Sequence, residues 1–346
     1  MVLIGCDYHP SWQQVSWLNS ETGETGDEKL VHEAGAVEKF YRRFPTDSRI
    51  GMEATGNCQW FIELMSCLGF ELWVGDAAKI RASDNRQQKH DKRDARLLLR
   101  LLAEGRFPRI WVPSREEKDL RQLLIHRYKL VRIRAQVKNG LQHLALNQGL
   151  QRKQRLWSAV GQKALRELPL AAWASRRRED LFKMLSELDA KIGLLDQAVV
   201  EAAEKNEKAR LLMTQPGVGP ITAMAFVLTM GDISRFPRGK QVASYLGLIP
   251  REYSSGGHQR LGSISKQGSS FLRMLLVEAA GIAVRCDAGF RKEYLHRCHR
   301  KAKGVAKVAA ARKLAIRLYW MLRTMTRYPE IVRIESSSRV ALASAS

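Results

Sequence analysis

The pattern of apolar and polar positions changes character three times along the chain. Val2–Tyr8 is a nearly continuous apolar run closed by Pro10, which predicts a buried strand. Gln13–Leu18 predicts a second strand, and Glu28–Val31 the start of a third, across a turn-like segment at Glu21–Gly26. Val37–Phe44 has helical spacing. Arg49–Glu53 is a short strand closed by Ala54, Thr55 and Gly56, Trp60–Leu68 a helix, and Glu71–Val74 a further strand. Several strands followed by alternating helix and strand predict an α/β domain on a mixed sheet. A clear helix follows in HDKRDARLLLRLLAEG, from His90.

From Arg115 to about Lys208 few Pro or Gly interrupt the pattern. Leu120, Leu123, Leu124, Tyr128, Val131 and Ala135 recur at helical spacing, and Leu181, Leu185, Leu188, Ile192, Leu195 and Val199 form a second stripe after a break around Pro169. The two stripes predict a long helical hairpin of coiled-coil type, suited to making an oligomer. A third regime begins at Leu211. Two apolar helical runs flank Pro216-Gly217-Val218-Gly219, a helix-hairpin-helix pattern, and Phe236–Leu246 is a short helix. The polar stretch Pro250–Ser270 reads as a loop, Phe271–Arg285 as an apolar helix and Gly304–Tyr328 as a basic amphipathic one. The fold class is α/β plus all-α, with an α/β domain at 1–112, a helical hairpin at 113–208, a mostly helical domain at 209–328 and a mobile tail at 329–346.

Composition narrows the partner. Of 346 residues, 58 are Lys or Arg and 35 Asp or Glu, a formal net charge of +23. A compact chain with that charge calls for a polyanion, and nucleic acid is the first choice over a membrane surface. No apolar run approaches the roughly 18–20 residues of a membrane span. The N-terminus MVLIGCDYHP lacks the pattern of a signal peptide. Five Cys without CxxC spacing read as reduced cytosolic thiols rather than a zinc site or disulfides.

Against this basic average, acids stand at telling places. Asp7 and Glu53 end two predicted strands, and Asp91 and Asp94, three apart, share one face at the start of a helix. Asp91 and Asp94 also suit a helix cap and first turn. Together the four carboxylates could hold a hard cation, Mg²⁺ or Mn²⁺, against phosphate. Arg121, Arg127, Lys129, Arg132, Arg134 and Lys138 line the polar face of the hairpin, either as a solvated face or as a phosphate-binding one. Gly217 and Gly219 allow a tight turn whose N–H groups can hold a phosphate, or simply join two packed helices. The Pro250–Ser270 loop carries Arg251, His258, Arg260 and Lys266, and is either a mobile surface loop or a binding one.

GCDYH, GMEATG, HDKRDA, the coiled-coil middle, PGVG and PREYSSGG followed by RLGSISKQG occur in an order that resembles insertion-sequence family 110 from Val2 to Tyr328. These are DEDD-type transposases, also known as bridge-RNA-guided recombinases. The resemblance implies a ribonuclease-H-like, resolvase-like first domain with Asp7, Glu53, Asp91 and Asp94 as its acids. It implies a transposase domain whose nucleophilic serine matches Ser255, with Ser254 adjacent as the alternative. It further implies donor and target DNA as partners, a guide RNA pairing with both, a tetramer with acids and serine from different subunits, and a bacterial, nucleoid-associated location. In that setting Arg260 and Lys266 are candidate charge stabilisers, and His258 is a proton shuttle or an exposed loop histidine. Two other classes share part of the pattern. A resolvase-like metal-dependent junction nuclease needs the acids but no serine, and a non-enzymatic helix-hairpin-helix DNA-binding protein needs neither.

Overall fold

A computed structural model describes residues 1–33, 35–84, 91–151, 155–255 and 258–333. The chain divides into two compact units, Met1–Val112 and Pro113–Ser346.

The first unit runs β1 (Val2–Tyr8), β2 (Trp12–Asn19), β3 (Thr25–Val31), α1 (Ala36–Tyr41), β4 (Arg49–Glu53), α2 (Gln59–Cys67), β5 (Glu71–Gly75), α3 (Ala77–Ala82) and α4 (Asp91–Ala103). Its five strands lie in the order β3-β2-β1-β4-β5, with β1, β4 and β5 parallel and the β1–β2–β3 meander antiparallel. Strand parity divides the interior into two cores. Val2, Ile4, Cys6, Tyr8, Ile50 and Met52 face one side and pack with Phe40, Tyr41, Phe61 and Met65 of α1 and α2. Leu3 faces the other side and packs with Leu97, Leu98, Leu101 and Leu102 of α4. Side chains alternate along a strand. Gly5 and Asp7 therefore share the face of Leu3, and Glu53 shares that of Gly51.

Gly5 and Gly51 are register partners, and both make room beneath α4 and its following loop. A β-carbon on Gly5 would overlap the Ala95 carbonyl oxygen and lie 2.5 Å from the Leu99 nitrogen, both backbone atoms of α4. Only glycine lets the helix settle so low on β1. A second fastening comes from Arg96, which donates through Nε to Asp27 on β3 at 3.1 Å, while Ser16 donates to the same carboxylate at 2.6 Å.

The second unit is helical: α5 (Arg115–Asn147), α6 (Ala159–Arg166), α7 (Ala172–Lys205), α8 (Glu207–Met213), α9 (Pro220–Met230), α10 (Gly239–Tyr245), α11 (Ser270–Cys286), α12 (Ala288–Arg300) and α13 (Lys303–Thr324), with a short ribbon β6 (Pro250–Glu252) and β7 (Leu261–Ile264). A capping box of Ser114 and Glu117 starts α5. α5 and α7 run antiparallel, as the ion pairs Arg127–Asp196 at 2.6 Å and Arg134–Asp189 at 3.1 Å require. Of the basic residues read on the polar face of α5, these pairs engage Arg127 and Arg134 with aspartates of α7. Arg121 is also committed, donating through Nε to the Leu228 carbonyl at 3.1 Å. Lys138 sits 5.0 Å from the Trp157 ring centroid.

The main core of this unit gathers α8, α9, α11 and α13. Ile331 is 5% exposed within it, so packing continues past Pro329, where a mobile tail is expected; residues 334–346 of that tail lie outside the described residues. One ion pair is enclosed by this core. Arg317 of α13 donates to Asp287 Oδ2 at 2.7 Å, with side-chain exposures of 2% and 5%. The same carboxylate caps α12 by accepting from the Phe290 amide at 3.0 Å. Burial alone would raise the Asp287 carboxyl. The Arg317 and Phe290 hydrogen bonds outweigh it and hold the group below its ordinary value.

Two consequences can be measured. Gly5→Ala should lower the stability of the first unit by about 1–3 kcal/mol, the usual cost of overpacking, in denaturant titrations of the full chain. Asp287→Ala should cost the second unit about 3–5 kcal/mol by leaving Arg317 buried without its carboxylate. Asp287 titrates below its ordinary 3.8 in the fold, so its contribution is complete above that value. The stability gap between wild type and Asp287→Ala should hold from neutral pH to about pH 5 and shrink as pH falls below 3.8 through the depressed value.

Candidate active site

Three elements deliver acids to one cleft. β1 carries Asp7 on the α4 face two residues beyond Gly5, and β4 ends in Glu53 on the same face. α4 begins with Asp91 and Asp94 in its first turn, about two turns and one turn, respectively, before the buried Leu98 on the same helix side. Seating α4 on Gly5 therefore brings its N-terminal acids to the carboxyl end of β1. The residue preceding Asp91 lies outside the described residues, so α4 is described from its first turn onward. Asp7, His9, Glu53, Asp94 and Asp84 line a cleft of about 830 Å³.

The acids are not equivalent. Asp7, His9 and Asp91 each present one donor atom, all within 4.8 Å of one another. Asp7 Oδ2 lies 3.2 Å from His9 Nε2. Burial pushes the Asp7 carboxyl up from its ordinary value; His9 pulls it back, and the charges of Asp94 and Asp91 push it further up. Glu53 stands apart from this close group, paired with Arg81 of α3 at 3.3 Å. Three of the four expected acids, Asp7, Glu53 and Asp94, thus line one cleft, and Asp91 joins them through its closeness to Asp7 and His9.

Two residues of the cleft escape sequence reasoning. His9 is two positions after Asp7, so continuing the strand parity of β1 by one step would have found it. Asp84 follows α3 on an irregular segment and carries no such signal.

In the second unit, the stretch expected as a loop is a ribbon. β6 and β7 pair antiparallel with an irregularity between Pro250 and Glu252. Its base is tied to the helices. Gly247 and Gly268, both with positive φ, pass so close to Gln267 and Tyr245 respectively that a β-carbon would strike backbone. Arg273 of α11 donates to the carbonyls of Leu246 at 3.2 Å, Gly268 at 3.1 Å and Gln267.

The two serines near the ribbon's tip differ. Ser254 Oγ donates to Glu252 Oε1 at 2.6 Å and accepts from the Arg260 amide at 3.1 Å, so it braces the ribbon. Ser255 is exposed, bridged to His258 through backbone alone, and its hydroxyl has no partner among the described residues. Gly256 and Gly257, between them, lie outside the described residues. Arg260, His258 and Lys266 are exposed, and Lys266 adopts φ 57°, a left-handed backbone uncommon for lysine.

The PGVG turn joins α8 to α9, and its glycines serve different ends. Gly217 has φ 89°, and a β-carbon there would collide with the Ala279 carbonyl of α11, so close packing demands it. Gly219 faces open space and starts α9 with no side-chain cap. Pro220 opens the helix without an N–H, so the first amides of α9 that lack an intrahelical partner are those of Ile221 and Thr222.

Comparison with known proteins adds the lineage. Residues 4–148 match a DEDD-type IS110 transposase model, and residues 209–295 match the model described as Transposase IS116/IS110/IS902 family. A probable family 20 transposase of Pseudomonas aeruginosa is 30% identical over 295 residues, 83% of this chain and 86% of that protein. The transposase for insertion sequence element IS1111A of Coxiella burnetii is 30% identical over 58% of this chain and 56% of its own length. A pilin gene-inverting protein of Moraxella bovis is 27% identical over 68% and 66%. The first matched segment spans the whole acidic cleft and the second spans the PGVG turn and the serine ribbon, so the features described above fall on the matched parts of a chain that belongs to the IS110 family of transposases.

Proposed function

We propose that this transposase cuts and rejoins DNA with a divalent cation held in the Asp7–Asp91 cleft and with Ser255 as nucleophile. The observation that supports the reading most is the gathering of acids from β1, β4 and α4 around one cleft. Their donor set suits a hard cation such as Mg²⁺ or Mn²⁺: carboxylate oxygens, one of them on the partly buried Asp7. Asp7 and Asp91 would hold the ion, with Glu53 and Asp94 on the same cleft reaching it directly or through water. Such an ion, when bound, polarises the scissile phosphate and stabilises charge on the attacking or leaving oxygen.

The remaining work falls to the chain. Ser255 Oγ attacks phosphorus. The Oγ–P bond forms as the bond to the departing strand oxygen breaks, the hydroxyl gives up its proton, and the departing oxygen takes one up. The phosphoserine ester keeps the phosphodiester at the same oxidation and ester level, so a strand hydroxyl can reverse the step without a nucleotide cofactor. Arg260 and Lys266 offer positive charge to the crowded phosphorus centre. Gly217 and Gly219, with the amides at the start of α9, hold the DNA backbone. The net charge of +23 suits a protein that carries both DNA and a guide RNA, with specificity residing in base pairing. The guide RNA, pairing with donor and target, and a tetrameric assembly complete the proposal.

Ser255→Ala should lower recombinant yield by at least about 10³-fold while DNA affinity in gel-shift titrations stays within about twofold. Ser254→Ala, which removes only the brace to Glu252 and Arg260, should keep measurable activity. A protein–DNA adduct that survives denaturation should form with wild type and Ser254→Ala, and not with Ser255→Ala. Cleavage without any adduct would point to water as nucleophile. Asp7→Asn, Glu53→Gln, Asp91→Asn and Asp94→Asn should each abolish strand cleavage, as should EDTA, and full cleavage in EDTA would overturn the cation role.

A further inference from the structure

We infer that His9 is a nitrogen ligand of the cation site and biases it toward first-row transition ions, Mn²⁺ first among them, over Mg²⁺. The inference rests on the carboxylate reading above and adds to it a ligand and a metal preference. The argument begins with distance. His9 Nε2 lies 3.2 Å from Asp7 Oδ2, and one donor atom from each of Asp7, His9 and Asp91 falls within a 4.8 Å group. An ion about 2.1 Å from each ligand accommodates donors up to about 4.2 Å apart, so small side-chain rotations bring all three onto one ion. Glu53, one of the four expected acids, is outside this group and engaged with Arg81.

The imidazole is also held in place. The His9 amide donates to the Trp12 carbonyl at 2.9 Å, closing the turn from β1 to β2. Its ring stacks on the Trp12 indole, with centroids 4.0 Å apart and planes at 21°. Trp12 in turn sits 4.0 Å from the Lys29 ammonium of β3. Three strands of the sheet thus contribute to keeping one ring nitrogen beside Asp7. A pre-positioned nitrogen matters because Mg²⁺ strongly prefers oxygen, whereas imidazole suits transition ions. Exchanging one oxygen position for nitrogen therefore weakens the site for Mg²⁺ relative to Mn²⁺.

The test uses the full-length chain, with Mn²⁺ and Mg²⁺ themselves as probes. Mn²⁺ binding is followed by electron paramagnetic resonance and calorimetry, and Mg²⁺ by competition. Wild type should bind Mn²⁺ at least about tenfold more tightly than Mg²⁺, and bound Mn²⁺ should show spin-echo modulation from a directly coordinated ¹⁴N. His9→Gln should erase that modulation and weaken Mn²⁺ about tenfold while changing Mg²⁺ less than about threefold. Wild-type Mn²⁺ without nitrogen coupling, or a variant that weakens both ions equally, would overturn the role of His9 and leave the carboxylate reading intact. Failure of wild type to bind either ion would overturn the carboxylate reading itself. The wild-type spectrum decides the matter even if His9→Gln folds poorly.

Discussion

The first unit depends on how closely α4 lies on β1. The absence of a side chain at Gly5 lets backbone meet backbone there, and the Arg96–Asp27 pair fastens the same turn of the helix to β3. That approach creates an electrostatic problem at the helix start. Two unit charges about 4 Å apart repel by roughly 4 kcal/mol at an effective dielectric near 20. The positive end of α4 returns only about 0.3–1 kcal/mol per carboxylate. Burial wins over the pull of His9, and repulsion from Asp94 and Asp91 adds to it, so the Asp7 carboxyl is raised rather than lowered. The cleft is thus built at a cost to the fold, and a bound cation would offset what the helix dipole leaves.

The second unit follows a different rule. An ion pair enclosed in its core is satisfied from several sides, since Asp287 also caps α12 and the Arg317 guanidinium lies 4.5 Å from the Phe290 ring centroid. Removing one partner would be costly, whereas the pair as a whole adds little net stability. What it supplies is a joint among the start of α12, the middle of α13 and Tyr328, whose ring centroid lies 5.7 Å from the same guanidinium.

Much of this was legible in the residues, and the exceptions have physical causes. β1 and β4 match their expected bounds, because the middle of each is buried on two faces. Asp7, Glu53, Asp91 and Asp94 were visible as acids at element ends. The ribbon β6–β7 was not, because it is exposed and held by ladder bonds and Arg273 rather than by an apolar face. α12 was missed because Phe290 is its one buried side chain, leaving no stripe to read. The pairing of two arginines on α5 was not legible either. Charge along a helix says nothing of the aspartates on α7 that meet Arg127 and Arg134. His9 was legible in principle, one step further along the parity of β1 from Asp7, but β1 ends at Tyr8 and the pattern was not carried past it.

α11 has a position that its sequence alone does not suggest. At Arg273 it holds the base of the ribbon that carries Ser255, and at Ala279 it packs against Gly217 of the turn before α9. Those points are six residues apart, about 9 Å along the axis and nearly two turns. The helix therefore works as a ruler, setting both spacing and azimuth between the turn before α9 and the ribbon that bears Ser255. One residue inserted between Arg273 and Ala279 would rotate one end against the other by about 100° while leaving every side chain of both features in place.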